Sequence, residues 1–209
     1  MIKVILCDDH ALIRRGIRDT LADVPDIDVV GEAGDYGELR SLLRTQACDV
    51  LVLDINLPGR SGLDVLHVLK DEGSPVKVLV VSMYPEDQYA IRALKAGAYG
   101  YVNKGGDPAQ LVAAVRMVSQ GRKYVTADMA QMLVESLTTP TTEAAHERLS
   151  DRELQTLVMI ASGKRLSDIA EELTLSPKTV SVYRARVLEK LGLSNNSELT
   201  VYAIRNGLV

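Results

Sequence analysis

Val50-Leu51-Val52-Leu53-Asp54-Ile55-Asn56-Leu57-Pro58-Gly59-Arg60-Ser61-Gly62 opens on four apolar residues in succession and breaks at an aspartate that leads into a Pro-Gly turn. A second run, Val76-Lys77-Val78-Leu79-Val80-Val81, is nearly as unbroken and is followed by Ser82. Short continuous runs rich in β-branched residues mark parallel strands covered by helices on both sides, because neither face alternates to polar. These two lie in strand-like segments at 49–53 and 76–81, and others recur at 2–7, 27–33 and 99–102, with helical periodicities between them. That alternation makes five βα units over residues 1–120. Asp35 with Glu38 has capping-box spacing, and Asp107-Pro108 places an N-cap before a proline at the first helical position. The expected architecture is α/β, a doubly wound five-stranded parallel sheet.

From Leu149 the pattern is helical throughout. Ser150 with Glu153 forms a capping box and Leu149 with Leu154 a hydrophobic staple, and Gly163 ends that helix. A helix over 167–173, a tight Thr174-Leu175 turn, a helix opened by Ser176-Pro177 and running to Leu191, and a last one opened by Asn195 and Glu198 follow. The expected second domain, 149–209, is therefore all-α with four short helices. Residues 121–148 between the two domains are read as one amphipathic helix, 126–137, and a flexible linker. Thr138 to His146 is polar, with no apolar period to offset the entropy of ordering it.

A chain of 209 residues fits two such cores. No apolar run approaches a membrane span and the first residues are too short for a signal peptide, so the expected location is cytoplasmic, without membrane contact. Cys7 and Cys48 are the only cysteines and read as reduced, buried thiols rather than a disulfide or a metal pair. The formal net charge of −4 argues at first against a nucleic-acid partner, but it is unevenly spread. Residues 1–120 carry 13 Lys and Arg against 17 Asp and Glu, while 149–209 carry 8 against 7. Within 176–190, Lys178, Arg184, Arg186 and Lys190 face only Glu189, a local basic footprint on one helix.

In an open parallel sheet, ligands bind beyond the carboxyl ends of the strands, where the strand order reverses. The residues at those ends are Asp8 and Asp9, Asp54, Ser82 and Lys104. Three crowded carboxylates repel unless a cation holds them, and an oxygen-only set suits Mg²⁺, which keeps several waters. With a hydroxyl and an ammonium opposite, the set suits a phosphoryl group. Each residue also has an ordinary alternative: Asp9 as a cap of the following helix, Ser82 as a turn hydroxyl, Lys104 as a solvated loop charge.

Asp8-Asp9, the run Asp54 to Gly62, Ser82 and Lys104 together resemble the receiver domain of two-component response regulators, a flavodoxin-like fold, over residues 1 to about 120. The resemblance implies that Asp54 takes a phosphoryl group from a partner sensor histidine kinase. It implies that Asp9 and Asp54 bind Mg²⁺ directly with the carbonyl of Asn56, that Asp8 binds it through water, and that Lys104 pairs with the phosphate. Tyr101 resembles the family's rotating aromatic, which swings inward when Ser82 moves toward the phosphate.

Leu149-Ser150-Asp151-Arg152-Glu153, Ser167 to Ala170 and Leu175 to Leu193 resemble the helix-turn-helix of LuxR/NarL-type regulators. The resemblance implies that the helix 177–191 enters the major groove of double-stranded promoter DNA. Val180, Val187, Leu188 and Leu191 form its apolar stripe, and Lys178, Ser181, Val182, Ala185, Arg186 and Glu189 point away. Lys178, Arg184, Arg186, Lys190 and Thr179 are the expected phosphate partners, leaving Ser181, Val182 and Ala185 for base edges. Tyr183 and Ser181 depart from the family's usual residues, so no base preference carries over.

The resulting expectation is a transcription regulator and not an enzyme. Phosphorylation of Asp54 shifts the receiver to a homodimeric form that binds DNA and works with RNA polymerase. Two other readings stand beside it. A haloacid-dehalogenase-like phosphatase would use Asp54 as nucleophile but would want an acid where Asn56 stands. An unphosphorylated interaction module would make no use of the acidic set.

Overall fold

The computed structural model describes residues 1–84, 86–138 and 145–209. Their contacts divide into two compact units, Met1–Thr138 and Thr139–Val209. In the first unit β1 (Ile2–Cys7), β2 (Ile27–Ala33), β3 (Val50–Leu53), β4 (Lys77–Ser82) and β5 (Gly100–Asn103) pair in parallel in the order β2-β1-β3-β4-β5. This is the doubly wound sheet expected, with the order reversing between β1 and β3. Helices α1 (Ala11–Ala22), α2 (Tyr36–Thr45), α3 (Gly62–Asp71), α4 (Glu86–Ala96) and α5 (Pro108–Ser119) connect the strands or follow them.

Alternate strand residues serve opposite layers. Val4, Leu6, Val50, Val52, Leu79, Val81 and Val102 form one buried cluster with Leu21 of α1 and Leu111, Ala114, Val115 and Val118 of α5. The residues between them, such as Ile5, Leu51, Leu53 and Val80, are equally buried on the other face. Both faces being covered explains why the strand sequences read as unbroken hydrophobes. The predicted caps form with one variation. Asp107 accepts from the Ala109 amide at 2.8 Å, and Asp35 accepts from the Glu38 amide at 2.9 Å. Glu38, however, reaches the Gly34 amide at 2.7 Å instead of completing the box at Asp35.

Residues 121–148, read as helix plus flexible linker, divide differently. Tyr124 forms a parallel bridge with Gly100 of β5, and α6 (Ala127–Thr138) packs on α4 within the first unit. Thr126 caps α6, accepting from the Met129 amide at 3.2 Å, and Met129 is fully buried. The helix therefore belongs to the sheet domain, because its apolar face has α4 to cover it. Of the linker, 139–144 lie outside the described residues, and Ala145–Arg148 form a 3-10 turn whose His146 amide donates to the Tyr202 hydroxyl at 3.1 Å.

The second unit has four helices among its described residues: α7 (Asp151–Ala161), α8 (Leu166–Glu172), α9 (Pro177–Leu191) and α10 (Asn196–Arg205). The Ser150–Glu153 box closes in both directions. α9 begins at Pro177 and stops at Gly192, whose φ of 66° lies in the left-handed region that glycine tolerates. Cys7 is buried, Cys48 is partly buried, and both are free thiols.

Candidate functional site

Strand register assembles the acidic edge. Cys7 is opposite Leu53 and Ser82 opposite Asn103, so Asp8 and Asp54 are neighbours one step beyond their strands, and Lys104 follows beside Ser82. Backbone bonds lock this edge: the Asp54 amide donates to the Cys7 carbonyl and the Lys104 amide to the Ser82 carbonyl, each at 2.8 Å. Lys104 Nζ lies 2.7 Å from Asp8 Oδ2 and 2.8 Å from Asp54 Oδ2, and its side chain is only 4% exposed. It is not a solvated loop charge. Asp8, rather than Asp9, turns the chain into α1, with Oδ1 accepting from the His10 amide at 2.9 Å. Asp9 is left beside the pocket, its Oδ1 2.7 Å from the His10 imidazole.

The donors fit a divalent cation. Ligand atoms of Asp8, Asp9, His10 and Asp54 all lie within 4.8 Å of one another. Asp8 Oδ2 and Asp9 Oδ1 are buried oxygens that accept no aligned hydrogen bond. One ammonium against three carboxylates leaves negative charge uncompensated. Burial pushes the Asp54 carboxyl up to about 6, and Asp8 adds to the shift, although Lys104 and the Asn56 amide oppose it. His10 entered this cluster without being foreseen, and its position directly after Asp9 was the available signal.

Gly62 fixes the loop behind Asp54. A Cβ there would stand 2.0 Å from the Asp54 carbonyl oxygen, while the Gly62 amide donates to the Ile55 carbonyl at 2.8 Å. Gly62→Ala is therefore expected to displace the Asp54 loop and destabilise the first unit by about 1–3 kcal/mol. Thermal unfolding checks this, and an unchanged midpoint would contradict the close approach.

Ser82 is buried, with Oγ accepting from the Tyr84 amide at 3.3 Å, so it does act as a turn hydroxyl. Tyr101 is completely buried, and its hydroxyl donates to the Tyr84 carbonyl at 2.6 Å. That same carbonyl accepts from Asn103 Nδ2 at 3.2 Å. The Tyr84 hydroxyl meets the Asn56 side chain at 3.4 Å, and its ring stacks on Tyr89. Tyr84 thus links the loops after β3 and β4 to strand β5. Its place two residues past a strand end was the only sign of this in the sequence.

In the second unit α8, a turn and α9 form the helix-turn-helix. Thr174 in the turn has φ 52°, a left-handed conformation that costs a threonine on the order of 1 kcal/mol. On α9, Val180 and Val187 are buried, whereas Lys178, Ser181, Val182, Ala185 and Arg186 are exposed on the opposite side. Thr179 is half-buried, and its hydroxyl is 2.8 Å from that of the cap Ser176. Two of the expected phosphate partners are committed inside the domain. Arg184 Nε donates to Asn196 Oδ1 at the start of α10, and Lys190 Nζ pairs with Glu153 Oε2 at 2.6 Å. Glu153 is almost wholly buried, so removing Lys190 would strand a charge, which gives Lys190 a partner inside the domain.

Residues 4–116 match the response regulator receiver domain, and residues 147–203 match the bacterial regulatory proteins of the luxR family. Over 209 residues the chain is 41% identical to the response regulator UvrY of Escherichia coli (strain K12), covering all of this chain and 96% of that one. It is 39% identical to the response regulator GacA of Pseudomonas protegens, covering all of this chain and 98% of that one. Among solved structures it is similar to RcsB from Salmonella enterica serovar Typhimurium bound to promoter rprA in the presence of the phosphomimetic BeF3−. That similarity is 27% identity and a TM-score of 0.64, over 96% of this chain and 97% of the other. The chain belongs to the response regulators that join a receiver domain to a LuxR-type helix-turn-helix. It is a DNA-binding transcription regulator of a two-component system, and the phosphatase reading falls with that assignment. No helix among the described residues is long and apolar enough to cross a membrane.

Proposed function

We propose that Asp54 is the phosphoacceptor and that its phosphorylation turns α9 toward promoter DNA. The observation that carries this reading is Asp54 at the end of the central strand, buried, with Lys104 Nζ at 2.8 Å and Asp8 beside it. An Asp54 oxygen attacks the phosphorus carried by the kinase histidine, the P–N bond breaks toward the imidazole, and an acyl phosphate results. Asp8, Asp9, Asp54 and the Asn56 carbonyl would hold Mg²⁺, which would supply charge neutralisation at the site. Lys104 then transfers its contact from Asp54 to a phosphoryl oxygen, and the Ser82 hydroxyl donates to another. Leu12, 83% exposed on α1, and Met83, 62% exposed beside Ser82, are apolar surface at the rim that a docked kinase covers.

On the output side, Lys178 and Arg186 take phosphates, Thr179 adds a contact near the helix start, and Ser181, Val182 and Ala185 meet base edges. Arg184 and Lys190 hold α9 in place instead. Val201 and Ile204, 47% and 60% exposed on α10, suit pairing of two such domains, which makes the second half-site contact intramolecular. The regulator acts in the cytoplasm, where RNA polymerase is the machinery met at a promoter.

The test is sedimentation and DNA affinity of the full chain in Mg²⁺, with and without beryllofluoride. A shift to dimer with at least ~10-fold tighter promoter binding is expected. Two exposed cations per subunit give a dimer slope of log K against log salt of roughly −4. Equally tight binding without beryllofluoride would make the receiver an ungated interaction module.

A further inference from the structure

The loop that carries Ser82 and Tyr84 runs into Glu86, the first residue of α4, and Glu86 does not point to solvent alone. Its Oε2 accepts from the Thr126 hydroxyl at 2.8 Å. Thr126 is also the cap of α6, where its Oγ1 accepts from the Met129 amide at 3.2 Å. One hydroxyl therefore ties the start of α4 to the start of α6. The segment leading to it is anchored to the sheet edge: the Tyr124 amide donates to the Tyr99 carbonyl at 2.8 Å, and Lys123 lies 4.4 Å above the Tyr99 ring. Glu86 is near enough to Tyr101 and Tyr124 to push both phenols up, though burial is the larger cause in each. Ser82 is tied to Tyr84, whose amide bonds Ser82 Oγ and whose carbonyl holds Tyr101; two positions on in the sequence, Glu86 is tied to Thr126 and so to α6. α6 ends at Thr138, the last residue of the first unit.

We propose that the Glu86–Thr126 hydrogen bond is the coupling that passes the state of the phosphorylation loop to α6, making Glu86 and Thr126 positioning residues for the response. This rests on Asp54 being the phosphoacceptor. When Ser82 Oγ turns to a phosphoryl oxygen it gives up the Tyr84 amide, and Tyr84 and Glu86 shift with it. A carboxylate that accepts from a helix-capping hydroxyl draws on that hydroxyl when it shifts, so α6 senses the change at its first turn. A bistable element biased at one end and attached at the other to the effector is what a switch requires.

The experiment measures amide hydrogen exchange across α6 and promoter affinity in the full-length protein, with and without beryllofluoride, for wild type, Glu86→Ala and Glu86→Gln. Phosphoryl incorporation from a small phosphodonor is followed in parallel. In wild type, beryllofluoride is expected to change exchange at the start of α6 by at least ~5-fold. Glu86→Ala leaves the Thr126 cap intact, so it should take up phosphoryl as wild type does. Its α6 should no longer respond, and its beryllofluoride enhancement of DNA binding should fall at least ~5-fold. Glu86→Gln, which keeps an acceptor oxygen, should restore most of the response. If Glu86→Ala keeps the full α6 response and the full enhancement, the coupling is overturned while the role of Asp54 stands. If wild type itself takes up no phosphoryl group, the proposed function fails, and the coupling fails with it.

Discussion

Asp54→Asn is expected to reduce phosphoryl incorporation to background, a loss of 100-fold or more, and to abolish the beryllofluoride-dependent gain in DNA affinity. The amide keeps the shape of the side chain but has no nucleophilic oxygen anion, and no other described carboxylate has Lys104 and Asp8 arranged around it in this way. The same substitution should make the metal-free receiver more stable at pH 7.5. The Asp54 pKa is raised from 3.8 to about 6, burial being the main cause. A carboxyl so raised costs stability when ionised: the cost is complete above pH 6 and is relieved as pH falls through 6 toward 3.8. Asp54→Asn removes it, giving a gain on the order of 3 kcal/mol at pH 7.5 that shrinks to about a fifth of that near pH 4. Since Lys104 loses one of its two carboxylates, the observed gain should lie below that figure. Loss of incorporation with a melting midpoint that rises markedly more at pH 7.5 than at pH 4.5 would establish both parts. Residual incorporation at wild-type levels would place the phosphoryl group elsewhere.

Lys190→Met should destabilise the second unit without removing a DNA contact. Glu153 Oε2 lies 2.6 Å from Lys190 Nζ and also accepts from the Ser150 amide at 2.8 Å. Burial pushes the Glu153 carboxyl up, but Lys190 and Ser150 more than reverse this and hold it below its ordinary 4.5. A depressed carboxylate contributes stability that is present above pH 4.5 and lost as pH falls through the lower folded value. Removing its cation at neutral pH strands a buried charge. Because Lys190 is 41% exposed, the cost should be about 2 kcal/mol rather than the full value for a wholly buried pair. The midpoint of a domain this size then drops by roughly 10 °C. Glu153→Gln in the same chain should recover much of the loss, and the salt slope of DNA binding by the folded protein should be unchanged. A reduced slope would return Lys190 to the DNA-contacting set.

The strands were legible because both faces are buried, which left hydrophobic runs that only central parallel strands need. β1 and β2 begin and end where the sequence places them. β4 and β5 lie one residue further along than read, at Lys77–Ser82 and Gly100–Asn103. The polar Ser82 and Asn103 looked like loop residues, but ladder pairing uses only their backbone. α9 was legible to the residue because proline opens it and glycine closes it. What the sequence concealed was side-chain partnership across long separations. Lys190 reaches Glu153 across 37 positions and Arg184 reaches Asn196 across 12. Their position beside Val187 and Val180 on the helix, three and four residues on, put them at the flank of the buried stripe, where a basic side chain serves the fold before it serves DNA. The acidic edge was legible as a set because each member ends a strand. The part of Tyr84 was not, since it depends on two loops and a third strand meeting.

The bridge between Tyr124 and Gly100 has a bearing on solubility. An open sheet ends in two strands with unsatisfied backbone groups, each a template for another chain. At β5 that template is partly occupied: the Tyr124 amide is bonded to Tyr99, and Tyr124 stands so close to Gly100 that a Cβ there would lie 2.9 Å from its own. A fragment cut at residue 120 would retain every residue of the acidic edge yet present bare β5 to its neighbours. The few residues after α5 therefore act as a guard against strand-to-strand association, and the natural end of the receiver lies beyond them.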